Sequence, residues 1–456
     1  MKPVSQSVLS LLRIRRDDAR SVLHLAYPVV LGSLSFTLLS FVDTLMVGRL
    51  GPARLAASGI AGVLYFAVVF SIAGLGIGVQ TLTARRFGEG KRKDCGDVAN
   101  VGLILAVAIG LPITMAGPWL ARTLGAILSP DPLVVELGST YLLYRFYGTA
   151  LMLANWSLRG FFAGIGETRH VMIASVVTTA ANLLLDYLLI FGIAGFPRLG
   201  IAGAAIASSL AIACGTIYLL TVALSRRHRS TFGILQPPFP LRRLTQPIVR
   251  LSLPVMGQRA LASGSWYAFF TVVSFIGTVE LAATNAIRST YHLTIMLGVG
   301  LGTAAAALVG QRLGAANPDE AERLGWTAAK LGALAMGVVG ILFLVVPAFF
   351  LRIFTSDPAV ISTGRLPLFL LGFVQASAGV GLVLSQAIQG AGNTRFVMLA
   401  ELAVCGTLYL PVVYLLGKVF GLGMIGAWTG EFLYWTSIAV VMTWKFRRGD
   451  WKHVKV

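Results

Sequence analysis

The chain has 456 residues, of which 56% are hydrophobic and only 12% charged, with a formal net charge of +19. So apolar a composition excludes a water-soluble globule, and the basic excess needs a reading other than nucleic-acid binding. The three cysteines, Cys95, Cys214 and Cys405, are scattered and offer neither a disulfide framework nor a paired metal-ligand spacing.

Residues 1–23 carry Arg13, Arg15, Arg16 and Arg20 beside Asp17 and Asp18. They lack the apolar core and cleavage site of a signal peptide and read as an amphipathic cytoplasmic lead-in lying along the membrane surface. Apolar runs of about 20 residues, enough to cross roughly 30 Å of hydrocarbon as helix, then recur along the chain. They fall near 24–47, 56–81, 97–117, 139–160, 171–193 and 202–223, and again near 249–274, 282–308, 326–350, 367–388, 397–416 and 424–445. The expected fold is all-α and integral to the membrane, with twelve transmembrane helices. Six spans form a first lobe (24–225) and six a second (249–446). A basic linker (226–248) carrying Pro237, Pro238 and Pro240 joins them, and a short tail (447–456) follows. Most of the 37 Lys and Arg fall in alternate loops. That positive-inside pattern puts both termini in the cytoplasm and turns clusters such as Arg85, Arg86, Lys91, Arg92 and Lys93 into topology signals and lipid-headgroup contacts.

The two lobes repeat one another at an offset of 226 residues. Pro28 meets Pro254, Gly51 meets Gly277, Asp131-Pro132 meets Asp357-Pro358, and Gly164, Gly166, Thr168 and Arg169 meet Gly390, Gly392, Thr394 and Arg395. An even number of spans per copy sends both into the membrane in the same direction, so the lobes are expected to be pseudo-symmetric about an axis along the membrane normal. No phosphate-binding Gly-Lys-Ser/Thr loop, His-Glu-x-x-His helix or paired-Cys site is present. Catalysis therefore has no support, and no cofactor is expected.

Ionisable residues inside spans are costly in hydrocarbon and are the natural functional candidates. Asp43 and Asp186 lie near the external ends of the first and fifth spans, at a shared depth. Asn182 sits one helical turn from Asp186, and Ser208 enters the sixth span from the same side. Two carboxylates, an amide and a hydroxyl can bind a proton or a small hard cation such as sodium; the alternative is helix-end residues facing external water. Pro28 removes a backbone hydrogen bond within the first span and bends it, as a working hinge or as a static kink. The second half does not copy the acid pair: the equivalent positions hold Phe269 and Val412. It carries Arg259, Arg288, His292, Glu401 and Glu431 instead. Arg288 and Glu431 share an outer depth and are expected to form a buried ion pair, while Glu401 and His292 either face a cavity or serve structure. Aromatic and Met residues such as Tyr65, Met152, Trp156 and Trp266 suit an adaptable site for flat, greasy cations, but such residues more often face lipid or pack between helices.

Taken together, "YPVVLGSLSFTLLSFVDTLMVGRLG", "RRFGEG", "LRGFFAGIGETR", "ANLLLDYLLIFG", "GIAGAAIAS", "LVGQRLGA" and "IQGAGNTR" make the chain resemble the multidrug and toxic compound extrusion (MATE) family over its whole length. The resemblance implies two six-helix lobes around a central cavity that opens alternately to each side of a bacterial-type inner membrane. It also implies export of small cationic or amphipathic organic compounds in exchange for H+ or Na+. It points to Asp43, Asn182 and Asp186 as ion-coupling residues, with Ser208 on the sixth helix, and to Pro28 as the bending point. The acids that sodium-linked NorM-like members carry in the seventh and tenth helices are replaced by Ala262 and Ala378, which moves the coupling expectation to the first lobe unless Glu401 or Glu431 substitutes. Membrane lipids are the expected surroundings and a monomer the expected state. The rival readings are a lipid or lipid-linked oligosaccharide flippase of the same superfamily and, in a different class, a non-transporting membrane enzyme or scaffold.

Overall fold

The computed structural model describes residues 14–127 and 129–456, without the side chains of Ser40 and Phe41. Among the described residues there are helices and turns but no strand. The first half contains α1 (Arg16–Gly48), α2 (Pro52–Ile72), α3 (Leu75–Gly88), α4 (Arg92–Met115), α5 (Gly117–Gly125), α6 (Pro132–Tyr147), α7 (Thr149–Ile165), α8 (Thr168–Phe191) and α9 (Ile201–Ala223). A short linker helix, α10 (Arg226–Phe232), leads to α11 (Leu241–Ser274), α12 (Thr278–Gly314), α13 (Pro318–Val345), α14 (Pro347–Arg352) and α15 (Pro358–Gly390). The chain then forms α16 (Thr394–Val404), two single π turns (Cys405–Tyr409 and Leu415–Val419) around α17 (Leu410–Tyr414), and α18 (Gly423–Arg448).

Nine helical stretches among the described residues are long and apolar enough to cross a membrane. The other three expected spans are also helical: the fourth is α6 and α7 with a break at Gly148, the seventh is α11 and the twelfth is α18. The lead-in expected over 1–23 is described only from residue 14, and from Arg16 it runs on as the first turns of α1. Asp17 and Asp18 suit a helix N-terminus, and Asp18 accepts a hydrogen bond from Arg323 Nε at 2.9 Å.

Helix starts follow local chemistry. Asp131 and Asp357 accept from the backbone N–H two residues on, at 2.9 and 2.8 Å, with Pro132 and Pro358 at the first helical position. Asn317 caps α13 in the same manner through Glu320 N–H at 3.2 Å. Gly166 and Gly392, at φ 88° and 97°, make the left-handed turns into α8 and α16 that a side chain would strain.

Two compact units emerge, and they trade helix halves relative to chain order. One holds the described residues up to Val30 together with Leu261–Lys455; the other holds Leu31–Ala260. In the first, Val22, Leu25 and Ala26 join the core with Leu301, Ala304 and Leu308, and α1 lies so close to α12 that a Cβ on Gly300 would strike Val30. This unit packs α12, α13 and α18 around α15. In the second, α3, α4 and α9 pack around α7, while Leu244, Ile248 and Leu251 of α11 share a core with Leu75 and Val79. Gly78 admits Ser252 at a distance no larger residue would allow. Both transfers occur within about two turns of the equivalent prolines, Pro28 and Pro254.

Candidate functional site

The Leu31–Ala260 unit brings three of the four expected coupling residues together. On α8, the 3.6-residue period stacks Asn182 over Asp186, and the Asn182 Nδ2 donates to Asp186 Oδ2 at 3.0 Å. Both are 1% exposed. Asp43, half-buried on α1, brings its carboxyl beside that of Asp186. Asp43 Oδ1, Asn182 Oδ1 and Asp186 Oδ1 are buried and have no hydrogen-bond partner. Three oxygen atoms of this kind are the donor set a proton or a small hard cation takes.

Two neighbours of the acid pair were not singled out in the sequence. Tyr141 and Arg145, one turn apart on α6, both act electrostatically with Asp43 and Asp186. The Arg145 guanidinium lies 4.4 Å from the centre of the Tyr65 ring, and the Tyr65 hydroxyl contacts Met152 Sδ at 3.6 Å. Arg145 thus supplies positive charge to the pair while its own head is held over an aromatic face. The signal was available, since an arginine inside a span with a polar residue at the i−4 position qualifies as a functional candidate. Ser208 is half-buried on α9 and, among the described residues, makes no hydrogen bond to Asp43, Asn182 or Asp186. Its neighbour Ser209 donates to the Tyr144 carbonyl at 3.1 Å. Pro28 lies inside α1, two residues before the point where that helix passes from one unit to the other.

The second-half candidates separate. Arg259 packs with the first-half unit: its Nη1 donates to the Phe70 carbonyl at 3.2 Å and its guanidinium lies 4.2 Å from the Phe70 ring. Arg288 and Glu431 do not form the ion pair expected from their shared depth. Arg288 is exposed and lies over Phe270 at 5.3 Å, whereas Glu431 is buried, accepts from Trp435 Nε1 at 2.9 Å and lies beside Tyr409. Equal depth fixes the level of a residue on its helix but not the face it occupies, and these two residues occupy different faces. Glu401 is buried near Cys405 and Tyr434, and His292 is exposed.

Two repeats of membrane-length helices define a polytopic membrane protein. The MatE family profile matches residues 28–188 and again 254–415, once per repeat, and the chain belongs to that family. It is 29% identical over 455 residues to a probable multidrug resistance protein NorM of Pseudomonas aeruginosa, covering 96% of this chain and 90% of that one. It is 28% identical over 443 residues to the multidrug resistance protein NorM of Burkholderia vietnamiensis, covering 96% and 94%. A solved MOP superfamily transporter from Pyrococcus furiosus has the same fold, with a TM-score of 0.89, 22% identity and coverage of 98% and 99%. The chain is a membrane transporter of the MatE family.

Proposed function

We propose that the chain is a secondary active antiporter, exporting small cationic or amphipathic organic compounds by alternating access while H+ or Na+ enters through Asp43, Asn182 and Asp186. The observation that carries this reading is the carboxyl pair and its amide with three buried oxygen atoms left unpartnered. Such oxygens are costly to bury unless something visits them. An entering ion neutralises the pair, and Arg145 limits how much negative charge builds up when it leaves. Coupling then requires that ion and substrate differ in affinity between the two access states. Pro28, beside the point where α1 changes unit, is the place for the helix to bend in response. The excess of Lys and Arg in alternate loops supports a cytoplasmic side for the linker and both termini.

The test is uptake of a fluorescent cationic dye by proteoliposomes under an imposed pH gradient or an imposed sodium gradient, repeated with Asp43→Asn, Asp186→Asn and Pro28→Ala. Transport driven by one gradient and abolished in both acid variants names the coupling ion and its site. Pro28→Ala is expected to slow turnover while leaving ion binding in place. Undiminished transport in both acid variants would remove the first-half site, and the absence of dye movement under either gradient would favour lipid substrates.

A further inference from the structure

Beyond transport, the Leu31–Ala260 unit holds a second polar cluster at the opposite end from the acid pair, where α7 turns into α8 and the linker helix α10 packs. Glu167 occupies the turn, His170 the first turn of α8, and His228 the middle of α10. One potential ligand atom from each lies within 4.8 Å of the other two. Both imidazoles aim Nε2 at the same carboxylate oxygen: His228 Nε2 is 2.7 Å and His170 Nε2 3.6 Å from Glu167 Oε2. Their other ring nitrogens are each held by a hydroxyl, His170 Nδ1 by Tyr218 at 3.0 Å and His228 Nδ1 by Ser225 at 3.0 Å. This outer-shell arrangement fixes ring orientation and leaves Nε2 as the ligating atom.

We propose that Glu167, His170 and His228 form a binding site for a divalent transition metal such as zinc, which staples the inter-repeat linker helix to the α7–α8 turn. A four-coordinate zinc with bonds of 2.0–2.2 Å sets its ligands about 3.3 Å apart. The 2.7 and 3.6 Å separations straddle that value and the two imidazoles offer ligand atoms within 4.8 Å of each other, so rotation of these side chains admits the ion. The metal replaces the proton between His228 and Glu167. His228 is buried, whereas Glu167 is about one-third exposed and gives the ion its route in and an open fourth position for water. Phe162 and Phe232 pack against the rings and dry the inner side. Arg169 and Arg227 also act on His170. Their charge disfavours a hard cation held by electrostatics alone and selects a borderline metal that bonds imidazole. The repeat supplies a contrast within the molecule, because the positions equivalent to Glu167 and His170 are Asn393 and Phe396, so the second copy has no such set.

The experiment uses tag-free, full-length protein in detergent, stripped of metal and titrated with Co2+, whose visible spectrum reports four-coordinate imidazole–carboxylate ligation. One Co2+ per chain, displaced by one Zn2+, with a zinc-dependent rise in the unfolding midpoint, is the expected result. Glu167→Gln and His228→Ala should each weaken Co2+ binding at least tenfold, His228→Cys should retain it with a thiolate spectrum, and His292→Ala should leave it unchanged. Lack of saturable Co2+ binding, or binding indifferent to Glu167→Gln and His228→Ala, overturns the proposal. Should an alanine variant fail to fold, the wild-type spectrum and the His228→Cys spectrum still decide.

Discussion

At the positions where the first half holds Asp43 and Asp186, the second half holds Phe269 and Val412, and the surroundings have changed to match. Phe269 is fully buried, edge-on to Trp428 at 5.2 Å and parallel to Tyr409 at 6.3 Å. Val412 sits in α17, a short α piece containing Pro411 between two π turns, whereas its counterpart helix α8 runs unbroken past Asp186. The punctuation of the repeat survived in both copies: left-handed Gly166 and Gly392, capping Asp131 and Asp357, and helix-starting Pro132 and Pro358. Duplication therefore preserved what builds a helix end and released what sits between the ends. One copy kept an unsatisfied polar site, and the other filled the same place with rings.

The largest test of that asymmetry puts the second-half residue into the first. Asp186→Val removes the acceptor of the Asn182 amide and the partner of Asp43. Losing a charged hydrogen-bonding partner costs about 1.5–3 kcal/mol of stability, and with the coupling acid gone gradient-driven dye transport is expected to be abolished while the protein still elutes as a folded species. Transport within twofold of the parent would mean that the halves are functionally level despite their chemistry.

Next in size is Glu431, a buried acid of the unit that holds Leu261–Lys455. Glu431→Gln keeps an oxygen for the Trp435 indole N–H and is expected to leave transport within twofold. Glu431→Ala strands that N–H and should lower stability by about 1–3 kcal/mol, seen as a lower unfolding midpoint in detergent. If the Gln variant instead abolished transport, coupling would be shared between the halves.

Much of this was readable in the chain. The spans, the repeat register and the Asn182–Asp186 stacking follow from periodicity alone, since four residues along a helix return to the same face. What periodicity leaves out is azimuth and partnership between distant segments. Arg288 and Glu431 matched in depth yet turned to different neighbours, and Asp18 met Arg323 across 305 residues of chain. Ser208 and Ser209 differ by a rotation of roughly 100° on one helix, too fine a distinction for a loose alignment. The exchange of helix halves near Pro28 and Pro254 was hidden for another reason: hydropathy marks where a helix crosses the membrane, not which neighbours each half packs against.

A smaller effect probes the conserved turns. Alanine at Gly166 or at Gly392 must adopt a left-handed backbone that costs an L-residue about 1–2 kcal/mol. The two substitutions are expected to lower the unfolding midpoint equally, because the φ values, 88° and 97°, are nearly the same. A much larger loss of transport from Gly166→Ala would show that its turn serves more than the fold; that turn holds Glu167, whose carboxylate reaches both His170 and His228.

The smallest effect is the most direct measure of how evenly the repeat was kept. Asp131 and Asp357 use the same oxygen, Oδ1, to accept from the N–H two residues on, and each has its own N–H bound by a hydroxyl two residues back, Ser129 at 3.1 Å and Thr355 at 3.2 Å. Removing either cap by Asp131→Ala or Asp357→Ala is expected to cost about 1 kcal/mol. Asparagine at either position keeps the acceptor and should cost far less, which separates capping from charge. The caps lie on different helices with no shared partner, so the double alanine variant should add within about 0.5 kcal/mol. Equal single effects with additivity would establish that the two copies still fold by the same local rules. If Asp131→Ala proved much the more damaging, the first copy would depend on its cap for more than starting a helix, and α6, which carries Tyr141 and Arg145 to the acid pair, would be the element through which it does so.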